Sequence, residues 1–221
     1  MIYTVAGPEI AVASTKAYTT QVAVLTLLAI HLGRVRGTLN EELATELLGQ
    51  LNRLPETIRE TLLCDEQVAE VAKYCSFAPN FMYLGRHVHV ATAFEGALKL
   101  KEITYIHAEG YPAGEMKHGP IALVDNTFPV VAVLTKGRVL AKVLSNLKEI
   151  EARNGIIIAV KTRGLDVNGA VRYAIEVPET HESLSPIVAA IPMQLLAYHV
   201  SVNRQIDPDK PRNLAKSVTV E

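Results

Sequence analysis

Four apolar runs with little polar–apolar alternation constrain the fold of this chain more than any other feature. They are FMYLG at 81–85, PVVAVLT at 129–135, IIIAVKT at 156–162 and YAIEVP at 173–178. Strands of this kind are buried on both faces, as in parallel sheets covered by helices. Because helical patterns separate the runs, the sequence predicts a doubly wound parallel α/β sheet over residues 66–205.

The remaining segments predict helices. We expect a first helix that is capped by Ser14 or Thr15 and ends near Leu32. It is apolar nearly all round, so the sequence predicts that it is buried. Further helices are expected at about 40–63, 65–75, after FMYLG, at 138–153 and at 186–203.

The first residues predict an incomplete unit. IYTVA at 2–6 has the composition of a short strand, and Gly7-Pro8 ends it. A lone strand followed by a buried helix is typical of the last piece of another α/β domain. We therefore expect this chain to be part of a longer one.

Composition and charge argue against two classes of partner. The formal net charge is −1 and no cluster of Lys and Arg is interleaved with aromatic residues, so we expect no nucleic-acid partner. The start has no basic segment typical of a signal peptide, and the apolar stretch 21–32 is too short to span a bilayer. We expect no membrane partner and a cytoplasmic location, with Cys64 and Cys75 reduced.

A charged helical face is the first candidate site. Glu95, Lys99 and Glu102 are four and three residues apart, so they share one face of the predicted helix. On a generic helix this pattern is a solvated surface with Glu–Lys pairs. This helix directly follows a strand, however, and the carboxyl ends of parallel strands are where sites form in such folds. Spacing alone leaves both interpretations open.

Three further segments carry candidate residues. The glycine-rich loop GYPAGEMKHGP presents His118, which suits proton transfer near neutral pH. The C-terminal segment DKPRNLAKSVTVE is either a frayed tail or an arm that delivers Lys216, whose amine can form a Schiff base with a carbonyl. Ser14, in VASTKAYTTQ, either caps a helix or binds an anion or a sugar hydroxyl.

These segments together resemble a known family. VASTKAYTTQ, EGALKLKEITYIHAEGYPAGEMKHGPIALVD and PRNLAKSVTVE, in this order and at these separations, are similar to the isomerase part of the glutamine–fructose-6-phosphate amidotransferases, or glucosamine-6-phosphate synthases. The resemblance covers essentially the whole chain. It implies sugar isomerase (SIS) subdomains: the tail of a first one at 1–40, connecting helices at 41–65, a second one at 66–205 and a C-terminal arm at 206–221.

The resemblance also implies an activity and residue roles. Ammonia from glutamine is transferred to fructose 6-phosphate, and the product is isomerised to glucosamine 6-phosphate without a metal or other cofactor. Glu102 would move the proton between C1 and C2, and Lys216 would form the Schiff base with the open-chain ketose. His118 would assist ring opening in the neighbouring subunit of a homodimer. Lys99 and Glu95 would line the pocket, and Ser14 would contact the sugar.

The chain departs from the family pattern in three places. Residue 2 is Ile2 where the glutaminase has its cysteine, and the Ser-Gln-Ser-Gly phosphate loop of the first SIS subdomain is absent. We therefore expect no use of glutamine and little or no turnover by this chain alone. GRHVHVATAFEG replaces the usual GRG and Tyr-Pro, and we expect His87 and His89 at surface positions where the strand ends.

Two other functions remain open. One is an SIS deglycase or isomerase that acts on another amino-sugar phosphate, which the same acid–base groups would serve. The other is a non-catalytic SIS module that binds sugar phosphates. Such a module would not need Glu102, His118 and Lys216 together.

Overall fold

The centre of the molecule is a five-stranded sheet. The computed structural model describes residues 1–167, 169 and 171–215. All neighbouring strands of this sheet are parallel, in the order β2-β1-β3-β4-β5. The predicted α/β class is thus confirmed, and the strands are β1 (Asn80–Gly85), β2 (His107–Pro112), β3 (Pro129–Leu134), β4 (Ile156–Thr162) and β5 (Tyr173–Val177).

Helices cover both faces of the sheet. Phe81 and Tyr83 point to the face that packs against α3, α4 and α6, while Met82 and Leu84 point to the face covered by α5. The six helices are α1 (Lys16–Val35), α2 (Glu41–Leu62), α3 (Asp65–Cys75), α4 (His89–Thr104), α5 (Leu140–Glu151) and α6 (Ser185–Asn203); two short 3₁₀ turns span Met116–His118 and Pro120–Leu123.

Helix α6 is the central helix of the larger core. By length and composition it could cross a membrane, but 72% of its most apolar window is buried inside the protein. Its buried residues pack with α3, α4 and the sheet. Burial of this kind identifies α6 as a core helix of the α/β domain.

Helices α1 and α2 form a smaller unit at the N-terminal end. The side chain of Asn40 accepts a hydrogen bond from the Leu43 N–H (2.9 Å), which caps α2. Ile30, Ala44 and Leu47 form a small apolar cluster between the two helices. This cluster is separate from the two clusters that cover the sheet.

The prediction that α1 is buried is wrong. Ile30 is its one buried residue, whereas Leu25 is 61% and Val35 70% exposed. The helix contacts α2 and, more sparsely, α6, so most of its apolar surface has no neighbour within the described residues. Nor does Thr15, the N-cap residue, make a side-chain capping bond.

Two strand assignments also differ from the sequence-based expectation. Residues 2–6 form no strand, because no other described segment pairs with them and a strand needs a partner. Conversely, the predicted loop at 110–120 begins within a strand, since His107–Pro112 forms the edge strand β2, paired in parallel with β1. Its sequence HAEGYP lacks the apolar run of the inner strands because β2 is paired on one side only. A Cβ at Gly110 would lie 2.4 Å from the Phe94 ring, so this edge needs a glycine.

Candidate functional site

The predicted charged face of α4 exists and is largely buried. Lys99 Nζ lies 2.7 Å from Glu102 Oε2 and 3.7 Å from Glu95 Oε1. The side chains of Lys99, Glu95 and Glu102 are 4%, 12% and 23% exposed. A solvated surface face would leave all three exposed. This arrangement therefore favours the functional interpretation of the i, i+4 and i, i+7 spacing.

The burial of this face affects the pKa of Glu95. Desolvation raises the pKa of Glu95, an effect that the nearby Lys99 cation opposes. Glu95 Oε1 is buried and has no hydrogen-bond partner among the described residues. A carboxylate that forms an ion pair with a lysine and has an oxygen without a hydrogen bond is suited to accept a hydrogen bond from a ligand hydroxyl or to take a proton.

Close packing holds α4 in place. A Cβ at Gly96 would lie 2.4 Å from Met193 Sδ and 2.8 Å from the Tyr83 ring, so α4 meets α6 and β1 at van der Waals distance only because this residue is glycine. Gly96 lies next to Glu95 and one turn before Lys99. The carboxylates and the lysine therefore project from a rigid part of the core.

The start of α1 reaches the same face. Tyr18 interacts with Thr92 and lies close enough to Glu95 for that carboxylate to raise its pKa, after the larger effect of burial. Ser14 is half-buried and lies four residues before Tyr18. The structure thus brings the predicted Ser14 segment to the side of α4 that carries Glu95. Tyr18 was not predicted as a site residue, because in VASTKAY only the Ser-Thr pair has a recognisable sequence signal.

The C-terminal segment packs against the end of α4. The Arg212 N–H donates to Tyr105 Oη (2.7 Å), and its guanidinium carbon lies 4.2 Å from the Tyr105 ring centroid. The Val12 N–H donates to the carbonyl of Asp209 (3.2 Å). Residues 209–212 are therefore anchored rather than frayed. Lys216 itself lies outside the described residues.

His118 is not brought to Glu102 within one chain. Helix α4 runs back from the carboxyl end of β1 to the amino end of β2, so its last turn, with Glu102, lies near the amino edge of the sheet. His118 is exposed and follows β2, and the Ala113 N–H donates to Gly85 O (2.8 Å) at the carboxyl end of β1. The six-residue strand β2 separates these edges by about 20 Å.

The charged face of α4 lies elsewhere than the sequence predicts. The carboxyl ends of the strands were expected to lie near the charged face because α4 begins there. The face instead runs from Glu95, near the middle of α4, to Glu102 in its last turn, and α1 and the C-terminal segment are its neighbours.

A second polar cluster lies at the carboxyl edge, where β1 and β3 adjoin and the order of the strands reverses. His89 Nε2 lies 2.7 Å from Thr135 Oγ1 and 3.1 Å from Ser185 Oγ. His89 is 3% exposed, and burial lowers its pKa to about 4. The expectation of a surface position is therefore wrong for His89, because it is the first residue of α4 and not a strand-end residue. His87 is partly exposed and lies 3.6 Å from Glu182.

Metal ligation has no obvious location in the part of the chain that the structure describes. Within residues 1–167, 169 and 171–215, no group of three or more His, Cys, Asp or Glu side chains could hold a metal ion. The two cysteines, Cys64 and Cys75, are free and buried, and burial raises their pKa values to about 11 and about 12.

Comparison with known proteins identifies relatives over the whole chain. It is 53% identical to the glutamine–fructose-6-phosphate aminotransferase (isomerizing) of Bacteroides thetaiotaomicron over 97% of its length, and 54% identical to that of Thermus thermophilus over 100%. It spans only 35% and 37% of these two relatives. The chain is thus similar to about one third of each enzyme.

Solved structures of known proteins share the fold of this chain. The C-terminal domain of glucosamine-fructose-6-phosphate aminotransferase from Francisella tularensis superposes with a TM-score of 0.88 at 38% identity, covering 92% of this chain and 58% of that one. A glucosamine-6-phosphate deaminase from Thermotoga maritima, at 23% identity and a TM-score of 0.67, covers 96% of this chain and 59% of that one and shares the fold. The SIS domain model matches residues 78–204, from just before β1 to the end of α6. This chain, which has the sheet, the helices and the sequence pattern of that model over more than half of its length, belongs to the SIS domain family.

Proposed function

We propose that this chain is the C-terminal isomerase part of a glutamine–fructose-6-phosphate aminotransferase. The observation that carries the proposal is the buried Glu95–Lys99–Glu102 face, which the Ser14 segment and the C-terminal segment both approach. An open-chain sugar phosphate is the substrate class that this set of groups suits. The relatives' names, at 53% and 54% identity, support the same reaction.

The isomerisation needs a single base that serves two adjacent carbons. Glu102 removes a proton from C1 of the C2 imine as the imine nitrogen gains one, which gives the C1=C2 enaminol. It then returns a proton to C2 while the C1 hydroxyl loses its proton, so the C2=N bond is replaced by C1=O and the nitrogen remains as an amine. Lys99 Nζ donates a hydrogen bond to this carboxylate (2.7 Å), which fixes the orientation of the Glu102 side chain. The helix holds Glu102 in a fixed position, so it remains beside both carbons during the transfer.

Lys216 supplies the covalent step. Its neutral amine adds to the C2 carbonyl of the open-chain ketose, forming a C–N bond, and the carbonyl oxygen then leaves as water. The resulting Schiff base retains the open-chain form until ammonia displaces the lysine amine at C2, which frees Lys216 and gives the imine that Glu102 isomerises. Glu95 has a buried oxygen without a hydrogen-bond partner among the described residues, which suits a sugar hydroxyl, and Ser14 contacts the same ligand in this proposal.

His118 serves the site of a second subunit in this proposal. It is exposed and follows β2 at the carboxyl edge of the sheet, whereas Glu102 of its own chain lies near the amino edge, so it suits ring opening in a neighbour. A homodimer follows as the assembled form. Light scattering tests this, and a chain that stays monomeric at all concentrations would contradict it.

The rest of the enzyme lies outside this chain in the proposal. Residues 1–40 are the tail of a first SIS subdomain, 41–65 connect, 66–205 form the second SIS subdomain and 206–221 form the arm. The exposed apolar surface of α1 supports this division, since such a surface is normally covered. Glutaminase activity and the main phosphate loop belong to the missing part, and the location is cytoplasmic.

Calorimetric titration of this chain with fructose 6-phosphate and glucosamine 6-phosphate tests the proposal. We expect saturable binding that Glu102→Gln and Lys216→Ala each weaken by about tenfold, which is the loss of one charge-assisted contact. Lys73→Ala, which removes an exposed ion pair with Glu70, is the matched control and leaves binding unchanged. Equal binding by all variants would contradict the assigned site.

A further inference from the structure

The outer side of α4 and the edge strand β2 form an exposed surface beside the charged face. Its residues are Phe94, Leu98 and Lys101 of α4 and Glu109 and Gly110 of β2, and it is called the α4–β2 surface below. We propose that a second copy of this chain docks on the α4–β2 surface and completes the wall of the site next to Glu102. The inference rests on the proposed function, because it specifies how the proposed homodimer is assembled.

Two large apolar side chains of α4 point away from the core. Phe94 is 50% and Leu98 42% exposed, and they are four residues apart, so they form one strip along the helix. The strip adjoins β2 closely, because a Cβ at Gly110 would lie 2.4 Å from the Phe94 ring. Adjacent exposed apolar side chains of this kind, one of them aromatic, are typical of protein–protein interfaces.

Strand β2 leaves one edge of the sheet open. It pairs with β1 alone, so among the described residues the backbone groups on its other side have no neighbouring strand. Natural proteins pair such edges or cover them. A molecule that docks on the strip of Phe94 and Leu98 also covers the adjoining edge of β2, so one contact would satisfy both requirements.

The α4–β2 surface borders the charged face of α4. Leu98 and Glu102 are four residues apart, so their side chains are neighbours on the helix. The side chain of Glu102 is 23% exposed, more than those of Glu95 and Lys99. A copy that covers Leu98 therefore also reduces the access of water to Glu102. The charged face is more open to solvent without this copy.

The charges of this surface are complementary to themselves. Lys101 is exposed and lies on the α4 side of a cleft, and Glu109, whose side chain is 45% exposed, lies on the β2 side. In a two-fold contact, each of two such residues meets the other residue of the second copy. A two-fold axis that passes between Lys101 and Glu109 therefore forms two ion pairs of opposite charge.

The same symmetry explains how His118 serves a neighbour. Within one chain, Glu102 lies near the amino edge of the sheet, whereas His118 follows β2 at the carboxyl edge. A two-fold axis at right angles to β2 reverses the direction of that strand in the second copy. The carboxyl end of the partner's β2, which leads to the partner's His118, then lies on the side of Glu102. This identifies a second copy, and not an unrelated protein, as the occupant.

Analytical ultracentrifugation of the chain measures the dissociation constant of the dimer. Leu98→Asp places a charge in the apolar strip of each copy and should raise this constant at least about 100-fold. Because Leu98 is partly exposed, the fold should tolerate the change. Phe77→Asp is the matched control, since Phe77 is an apolar residue just after α3 that is 81% exposed. It should leave the dissociation constant unchanged.

Exchanging the two charges tests the symmetry of the contact. Lys101→Glu and Glu109→Lys each bring like charges together, so each variant alone should dimerise about tenfold more weakly at low ionic strength. In an equimolar mixture of the two variants, both contacts of the heterodimer again join opposite charges. The mixture should therefore associate about as tightly as the wild type, and so should the double variant.

The outcomes distinguish the α4–β2 surface from the homodimer itself. A wild-type dissociation constant in Leu98→Asp, or a mixture of the charge variants that is as weak as each variant alone, would overturn this surface while the proposed homodimer stands. A wild-type chain that is monomeric at all concentrations would overturn the homodimer, and this inference with it. Weaker dimerisation in Leu98→Asp together with recovery in the mixture supports both.

Discussion

Helices α1 and α6 have similar apolar character and opposite environments. In α6, twelve of nineteen residues are buried, and the helix packs against α3, α4 and the sheet. In α1, one of twenty residues is buried, and Leu25, Leu27, Leu32 and Val35 are all exposed. An apolar helix therefore shows that a covering surface is needed, but the sequence of the helix does not show whether the same chain supplies it.

Truncating one leucine in each helix gives the sharpest test of this difference. Leu196→Ala in α6, at a site 1% exposed, should lower the free energy of unfolding by about 2–5 kcal/mol, since it leaves a cavity. Leu25→Ala in α1, at 61% exposure, should change it by less than about 0.5 kcal/mol. Denaturant unfolding of both variants provides the measurement. Equal losses would mean that α1 is covered in solution by this chain or a second copy.

His89, the buried first residue of α4 that contacts Ser185 of α6, should make the stability of the α/β core sensitive to acid. Burial lowers the pKa of His89 to about 4, below the 6.5 of the unfolded chain. The unfolded chain thus binds a proton that the folded protein excludes, so stability falls as the pH drops from 6.5 to 4, by about 3 kcal/mol.

Unfolding at a series of pH values tests the contribution of His89. His89→Gln should reduce the change in the free energy of unfolding between pH 6.5 and pH 4. His31→Gln, at an exposed position in α1, is the control and should leave that change as in the wild type. If His89→Gln lost as much stability at acid pH as the wild type, other groups would cause that loss.

Removing the lysine between the two carboxylates should have a smaller effect. Lys99→Met leaves Glu95 and Glu102 without their cation and should cost about 2 kcal/mol, less than the roughly 3–5 of a fully buried pair because water reaches both carboxylates. Lys73→Met, in the exposed pair with Glu70, should cost less than about 0.5 kcal/mol. Chemical denaturation of both variants at pH 7 measures these losses in the free energy of unfolding. Similar costs would show that the charged face of α4 is more hydrated than the structure implies.

The smallest expected effect concerns Glu95, where α4 meets the start of α1. Burial raises its pKa in the folded protein, so the folded state holds this proton more tightly than the unfolded chain. Stability should therefore decrease as the pH rises from 4.5 through the folded-state pKa. Glu95→Gln should abolish that decrease, while Glu70→Gln on the exposed face of α3 should retain it. A steeper decrease in Glu95→Gln would show that the Lys99 attraction outweighs burial.

The inner strands and their helices were predictable because local pattern and final environment agree. The runs at 129–135 and 156–162 are buried on both faces, as their continuous apolar character predicts. Strand β2 was not predictable, since HAEGYP is an edge strand whose stability comes from β1. The strand predicted at 2–6 failed for the complementary reason, because a segment with strand-like composition remains irregular without a neighbour.

The charged face was half predictable. Spacing placed Glu95, Lys99 and Glu102 on one side of a helix, but it did not distinguish a solvated side from a buried one. The contact of Tyr105 with Arg212 and the burial of His89 leave no mark in a single sequence, because both involve segments far along the chain: Arg212, Thr135 and Ser185.

The sequence by itself thus determined the class of fold, the positions of the inner strands and helices, and the face of α4 that carries Glu95, Lys99 and Glu102. These properties follow from side-chain periodicity, which is local. Only the tertiary structure decided that this face is buried, that the segments around Ser14 and Arg212 meet beside it, and that His118 lies at the other edge of the sheet. Those facts depend on the direction in which α4 crosses between parallel strands and on contacts between distant residues, and periodicity carries no information about either.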